Sequence, residues 1–533
     1  MNKKILFPIL VLPLLLSSCV LDLSGQYSES ESGIGTESES TTETESETES
    51  EVISESESES ESESESEKES ESETTPGSES EEQEPDLYDL FYDHKNKVDI
   101  KLDFKNNAIY KLAQYSADEN KKDMYHPVDV TITINGTEYF FEECGARMKG
   151  NTSRNPNFVN SNGEISALVH FKISFNQTFD DAEDNDYYIR TWESKDLRTE
   201  RKNRRFGGAK KFDIKYNKNN DFTYAKQMYA YDAFREVGVF AERDNLVKVT
   251  LKTQSDSETA IYLAQECIDK EFLQRRLPKS EAKGNLYKST YTSMGPASLT
   301  SDTLNAMGVE GPNYHPSYDL KTNDDPEEIN HTLLKNLITT INDNKSDAAT
   351  FKPVIDNLID VDNILKYLAM CWVMGNPDDT RNNYNNYYIY FNSSTNKAIF
   401  IPYDFDRCLG IMKDWEIHME STPYHSTKAA GKNREWQKNP LLWRLILKTK
   451  SGETSSEGLS LAANYRYIEE YRNKYIAYCT EYANKYLDKN YFQQYVNGVY
   501  YANKNINSET DGNISFQEYA SAKLATFTNS PDN

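Results

Sequence analysis

The chain has 533 residues and carries 87 acidic against 59 basic side chains, a formal net charge of −28. So acidic a balance argues against a nucleic-acid partner, because phosphates are met by clustered Lys and Arg. Its 6 cysteines include no Cys-x-x-Cys pair, which excludes a zinc ribbon, and Cys144, Cys267, Cys371, Cys408 and Cys479 are expected as buried free thiols.

At the N-terminus, Lys3 and Lys4 precede an apolar run from Ile5 to Leu16 that closes in Ser17-Ser18-Cys19. The run is too short to span a bilayer, and small residues before a cysteine are the pattern of a bacterial lipoprotein signal. Residues 1–18 are therefore expected to be a cleaved signal peptide. Cys19 would be the lipidated residue, holding the protein to the extracytoplasmic face of the bacterial cell membrane. From Tyr27 to Asp86 the chain is nearly all Ser, Glu and Thr, with 24 acidic residues against the single Lys68, so this stretch holds a net −23 of the total. Such a segment has little apolar surface to bury and repels itself, so residues 19–86 are expected to form a disordered, extended stalk. Residues 87–533 are expected to be the globular body.

In that body, Val169–Phe175 reads as a strand, and Arg198, Arg201, Lys202, Arg204, Arg205, Lys210 and Lys211 form one dense basic patch. Tyr224, Met228, Tyr231, Phe234 and Val237 fall on one helical face before Gly238. Val247, Val249 and Leu251 alternate with polar residues as a strand, with Thr259–Leu263 able to pair with it. Asp362 is placed to cap a helix whose apolar residues Ile364, Leu365, Leu368, Cys371 and Trp372 recur up to Gly375. Asn386–Phe391 and Ala398–Ile401 read as a hairpin, and later helices are expected near Asn439–Leu447 and Tyr465–Leu487. Strands first and helices later predict an α+β body. Near the end, Asn507, Glu509, Asp511, Asn513 and Glu518, with Gly512 at the sixth position, follow the spacing of an EF-hand loop, an expectation of Ca²⁺ that a polar turn matches equally well.

A helix, an Asp-bearing loop, a hairpin and then Asp404-Phe405-Asp406 is the order of parts in a protein-kinase centre. Phosphoryl transfer needs one carboxylate to orient the acceptor hydroxyl and another, with an amide, to hold Mg²⁺ or Mn²⁺ on the phosphates. Asp378 or Asp379 suits the first role. Asp404 with Asp406 suits the second, the amide coming from Asn383, Asn385 or Asn386, since two neighbouring carboxylates are costly without a cation.

These segments resemble the spore coat protein H (CotH) kinase family. Arg147-Met148-Lys149-Gly150-Asn151-Thr152-Ser153 is similar to its Arg-x-x-Gly-Asn-Ser/Thr-Ser signature. Glu266, Asp269-Lys270, Phe272-Leu273 and Gly284-Asn285-Leu286-Tyr287-Lys288 match a second block, and Ile359–Asp362 with Tyr403–Asp406 completes the order. The resemblance implies an atypical kinase fold of two lobes, β-rich over about 87–320 and helical over about 321–533, using ATP with Mg²⁺ or Mn²⁺. It implies phosphate contacts at Arg147, Lys149, Asn151, Ser153 and Lys172, with Glu266 paired to the phosphate lysine. The expected activity is transfer of the ATP γ-phosphate to Ser or Thr of acidic or Ser/Thr-rich proteins, the stalk included, recruited by the basic patch. Some family members act as surface adhesins, so a catalytically inactive envelope-binding protein is the alternative.

Overall fold

The computed structural model describes residues 86–528, apart from 106, 151–152, 161, 182–185, 312, 344–346, 413–418, 423, 425–439 and 447–466. The signal segment, Cys19, the stalk and Asn151 lie outside the described residues. Among the described residues, no helix is long and apolar enough to cross a membrane.

Seven strands, β1 (Val98–Asp103), β2 (His126–Ile134), β3 (Thr137–Met148), β4 (Phe171–Ser174), β5 (Lys211–Tyr216), β6 (Asp244–Lys252) and β7 (Ser257–Glu266), close into a barrel of order β1-β2-β3-β4-β5-β7-β6. Parallel pairing of β1 with β6 closes it, while the other neighbours run antiparallel. Strict alternation puts Val128, Val130, Ile132 and Ile134 of β2 inside, with Phe212 and Ile214 of β5 and Val247, Val249 and Leu251 of β6. Lys172, Asp213 and Gln265 consequently share the outer face in one cross-strand row, Lys172 opposite Asp213 and Asp213 opposite Gln265.

A second sheet, β12-β11-β8-β10-β9, is built from β8 (Leu286–Ser289), β9 (Met307–Gly308), β10 (Tyr318–Leu320), β11 (Tyr387–Phe391) and β12 (Ala398–Pro402), drawing strands from both sides of residue 320. Its hairpin packs with the helix Val361–Met374, on which Ile364, Leu365, Leu368, Cys371 and Trp372 are all buried in the larger core. Asp360, not Asp362, caps this helix, accepting from Asn363 N at 3.0 Å, because the helix begins two residues earlier than a cap at Asp362 would place it. Asp362 instead pairs with Lys366 across one turn at 2.7 Å. Gly375 ends the helix at φ +61°, where a Cβ would overlap Tyr519 Oη, so only glycine fits.

The chain is α+β, as expected, with a barrel in place of a simple strand-rich half. The helix expected from Tyr224 runs over Lys226–Glu236, since Tyr224 itself adopts φ +64°. All five expected free thiols are buried.

Candidate active site

The hairpin delivers its carboxylates through a left-handed residue. Asp404, two residues past β12, has φ +55°, uncommon for a non-glycine residue and a form of stored strain that clusters at functional sites. Phe405 points inward, fully buried against Phe234 at 5.1 Å between ring centroids. With Phe405 anchored, Asp404 and Asp406 both face Lys215 of β5, which contacts Asp404 Oδ1 and lies 3.7 Å from Asp406 Oδ2. The ammonium is nearly buried, whereas Asp404 and Asp406 keep 35% and 27% of their side-chain surface, so a ligand can reach them.

The two carboxyls are pushed apart in acidity. Burial disfavours the Asp404 charge, but Lys215, Lys149 and His170 outweigh it and hold that carboxyl well below the usual range. Burial and then the Asp404 charge raise Asp406 to about 6, against Lys215 and Arg407. Such a pair, one member of which is held short of full ionisation, is a donor set that a hard divalent cation completes.

Asp378 lies in the loop after the Val361–Met374 helix and is partly exposed. Asn383 and Asn385 donate to its Oδ1 at 2.6 and 3.1 Å, and Asn386 donates to its Oδ2 at 3.0 Å. Burial raises its pKa, against these amides, and the Asp404 charge adds to the rise. Asn386 also joins the two carboxylate segments, since its carbonyl accepts from Tyr403 N at 3.2 Å. Asp379, expected as the rival, is 0% exposed. Its Oδ1 takes Arg381 N, Asn382 N and Asn382 Nδ2 at 2.8, 3.1 and 2.9 Å, so it builds the loop and faces no cleft. Burial pushes it up to about 7.

A family model described as CotH kinase protein matches residues 179–531. The chain belongs to the CotH kinase family. Membership implies use of ATP and a divalent cation at most, and the neighbouring carboxylates of Asp404 and Asp406 are oxygen donors of the type such a cation takes. No curated protein matches the chain. The match begins after Arg147–Ser153 and runs through the C-terminal loop around Gly512.

The expected phosphate residues of this CotH-family chain do not converge as a set. Lys149 and Lys172 both lie on Asp213, at 2.5 and 2.8 Å, with Lys149 5.5 Å from the Tyr403 ring centroid. Burial opposes both lysine charges, but Asp213 more than restores them. Arg147 turns to Asp123 and the face of Tyr125. Ser153 Oγ donates back to Lys149 O at 3.3 Å, closing a turn at Gly150, whose φ is +101°. Glu266 does not pair with a lysine: Arg276, in the helix that follows, reaches it at 2.5 Å. Asn383 and Asn386, expected as amide ligands beside Asp404, donate their Nδ2 groups to Asp378.

Lys215 was missed by sequence reasoning. Its signal was the alternation Lys211-Phe212-Asp213-Ile214-Lys215, which puts three charges on one face of an otherwise apolar strand. The basic patch beside it is mostly spent within the fold. Arg201 lies 3.2 Å from Glu143, Lys210 2.7 Å from Glu271 and Lys211 3.5 Å from Asp269, while Arg198 pairs with Asp180. Arg204 binds the main-chain carbonyls of Phe175 and Glu142.

Three of the five residues in the calcium expectation, Glu509, Asn513 and Glu518, are likewise spent on other contacts. Glu509 is 2.5 Å from Lys226 in a buried ion pair, and Asn513 bonds the main chain of other loops. Glu518 accepts from Ser515 N and Oγ, each at 3.0 Å, while Ser515 Oγ accepts from Glu518 N, a capping box for the helix Phe516–Thr528. Asn507 and Asp511 are exposed and do not converge with them. Among the described residues no group of three or more His, Cys, Asp or Glu is placed to hold a metal ion.

Proposed function

We propose that this chain is an atypical protein kinase that transfers the ATP γ-phosphate to Ser or Thr hydroxyls. The observation carrying this reading is the meeting of Lys215 with Asp404 and Asp406 beside Asp378 and its three amides. Asp404 and Asp406 would hold Mg²⁺ or Mn²⁺, which neutralises the phosphates when bound. Lys215 would move between the carboxylates and a phosphate oxygen, supplying a positive charge where charge develops. Asp378 would accept the proton of the acceptor hydroxyl, its amides holding the carboxylate toward the cleft. In this reading the barrel corresponds to the N-terminal lobe of a kinase and the second sheet with its helices to the C-terminal lobe.

The proposed acceptors are acidic, Ser/Thr-rich protein segments, the chain's own stalk first among them. Since the basic patch is largely paired internally, recruitment would rest on tethering more than on that patch. Lipidation at Cys19 and an extracytoplasmic setting are part of the same proposal, resting on the N-terminal sequence pattern.

The test is transfer of labelled γ-phosphate from ATP, with Mg²⁺ or Mn²⁺, to the purified chain and to acidic Ser-rich peptides. Incorporation abolished by Asp378→Ala and by Asp404→Ala supports the reading. No incorporation, together with no nucleotide-dependent melting shift, would replace it with an inactive surface-binding protein.

A further inference from the structure

The loop that carries a cation-loop spacing is packed against the segment that follows Asp406. Ile514 N donates to Gly410 O at 3.0 Å, and Gly410, at φ +87°, would place a Cβ only 2.5 Å from Ile514 Cγ1. That approach needs a glycine. Asn513 is used at both ends of its amide. Its Oδ1 accepts from Met412 N at 3.2 Å, while its Nδ2 donates to Asn219 O at 2.8 Å and Asn220 O at 3.3 Å. Asn219 in turn donates through Nδ2 to the carbonyl of Asp406 at 3.1 Å. One side chain thus holds both the segment after Asp406 and the residue that grips Asp406 itself.

The loop is firmly based. Lys226 Nζ lies 2.5 Å from Glu509 and 3.0 Å from Ile514 O, with the lysine and glutamate side chains 1% and 4% exposed. Glu509 Oε1 also accepts from Phe222 N at 2.9 Å, tying the same loop to the chain between β5 and the Lys226–Glu236 helix. The strained φ at Asp404 has to be maintained by its surroundings, and these contacts supply part of that constraint from the far end of the chain.

We propose that Asn513 is a positioning residue that sets the Asp404–Asp406 turn for its cation, an inference that rests on the kinase reading. Residues that orient ligands without touching the metal are worth roughly 10–100-fold in metal affinity. The amide does this through Met412 on one side and Asn219 on the other, so alanine removes both restraints and aspartate keeps only the acceptor.

The experiment compares the full chain with Asn513→Ala and Asn513→Asp by hydrogen exchange, Mn²⁺ titration and phosphate transfer. Exchange is expected to quicken over Asp404–Met412 while the β2–β3 strands keep their protection. Mn²⁺ affinity should fall by roughly tenfold in the alanine variant and less in the aspartate. Turnover at saturating Mn²⁺ should be retained, so that the metal KM moves and kcat does not. Unchanged exchange over Asp404–Met412 in both variants, or faster exchange with unchanged Mn²⁺ affinity, overturns the inference. Should alanine melt the protein, the aspartate variant decides by the same readings. A parent chain that binds no Mn²⁺ and transfers no phosphate sinks the kinase reading and the cation part with it. The exchange result still decides whether Asn513 sets the turn.

Discussion

Lys215 and Asp404 are 189 positions apart in the chain, yet they form an ion pair in which the lysine side chain is only 8% exposed. The burial opposes the Lys215 charge, and Asp404 and Asp406 together hold the lysine protonated. In the proposed reaction a cation at the carboxylates would compete with this ammonium and free it for a phosphate. Lys215→Met is therefore expected to cut phosphate transfer by roughly 10²–10³-fold, the loss typical of removing one electrostatic stabiliser. The fold should persist, because Asp404 and Asp406 reach solvent. A variant with unchanged turnover and ATP KM would remove Lys215 from the site.

Asp378 and Asp379 are neighbours with opposite surroundings, and their substitutions should separate cleanly. Asp378→Ala is expected to lower transfer by roughly 10²–10⁴-fold with a smaller loss of stability than Asp379→Ala, since Asp378 is partly exposed and Asn386 keeps its bond to Asp378 O. Asp379→Ala strands Arg381 N, Asn382 N and Asn382 Nδ2 in the interior and should cost on the order of 3 kcal/mol of stability. Parallel melting and single-turnover measurements decide between the two patterns.

Cation binding should weaken in acid. Asp406 is raised to about 6, so protons compete for it below that pH while Asp404 stays ionised. Mn²⁺ affinity is expected to be level near pH 7.5 and to fall by about tenfold per pH unit once well below 6, one proton being displaced per ion. Calorimetry at several pH values, with proton release measured, checks this. Affinity independent of pH down to 5 would contradict it.

Asp213 neutralises two lysines on the outer face of the barrel. Asp213→Asn leaves Lys149 and Lys172 buried without a counter-charge and should cost about 3–5 kcal/mol. Burial raises the Asp213 pKa, but the two lysines outweigh it and hold the group well below its unfolded value. The folded state therefore binds fewer protons, and the stabilisation is complete above about pH 4 and lost as acid protonates the group. Denaturant titrations should show the variant losing that acid limb. A variant as stable as the parent at pH 7 would mean the lysines find other partners.

The C-terminal loop should behave as a cap and not as a calcium site. Ser515→Ala is expected to destabilise the protein by about 1 kcal/mol, the usual worth of a helix N-cap. Millimolar Ca²⁺ should leave the melting temperature of the parent unchanged. A rise with Ca²⁺ that Glu518→Gln abolished would restore the cation reading of this loop.

Features that depend on residues close in the chain are legible in the sequence. The buried face of the Val361–Met374 helix, its Gly375 terminator and the β11–β12 hairpin follow from periodicity, capping and turn chemistry acting within a few residues. The same local signals put Asp378 and Asp404 at the ends of adjoining elements, and the order of motifs pointed to the CotH kinase family. Even locally, the cap fell to Asp360 because a carboxylate two residues away offers an equivalent signal.

What side chains do across the fold was decided by tertiary structure alone. Lys215 met Asp404, Asp213 took both lysines expected for phosphate, Glu266 took Arg276, and two of the EF-like acids, Glu509 and Glu518, went to Lys226 and a helix cap. The physical reason is that a buried charge takes whichever counter-charge the closed barrel and the packed loops bring within about 4 Å, since leaving either unpaired costs more than any local preference supplies. Sequence spacing says nothing about which strands become neighbours across the barrel. The charged residues of this chain were legible as candidates, and their partners were set by the closure of the sheet.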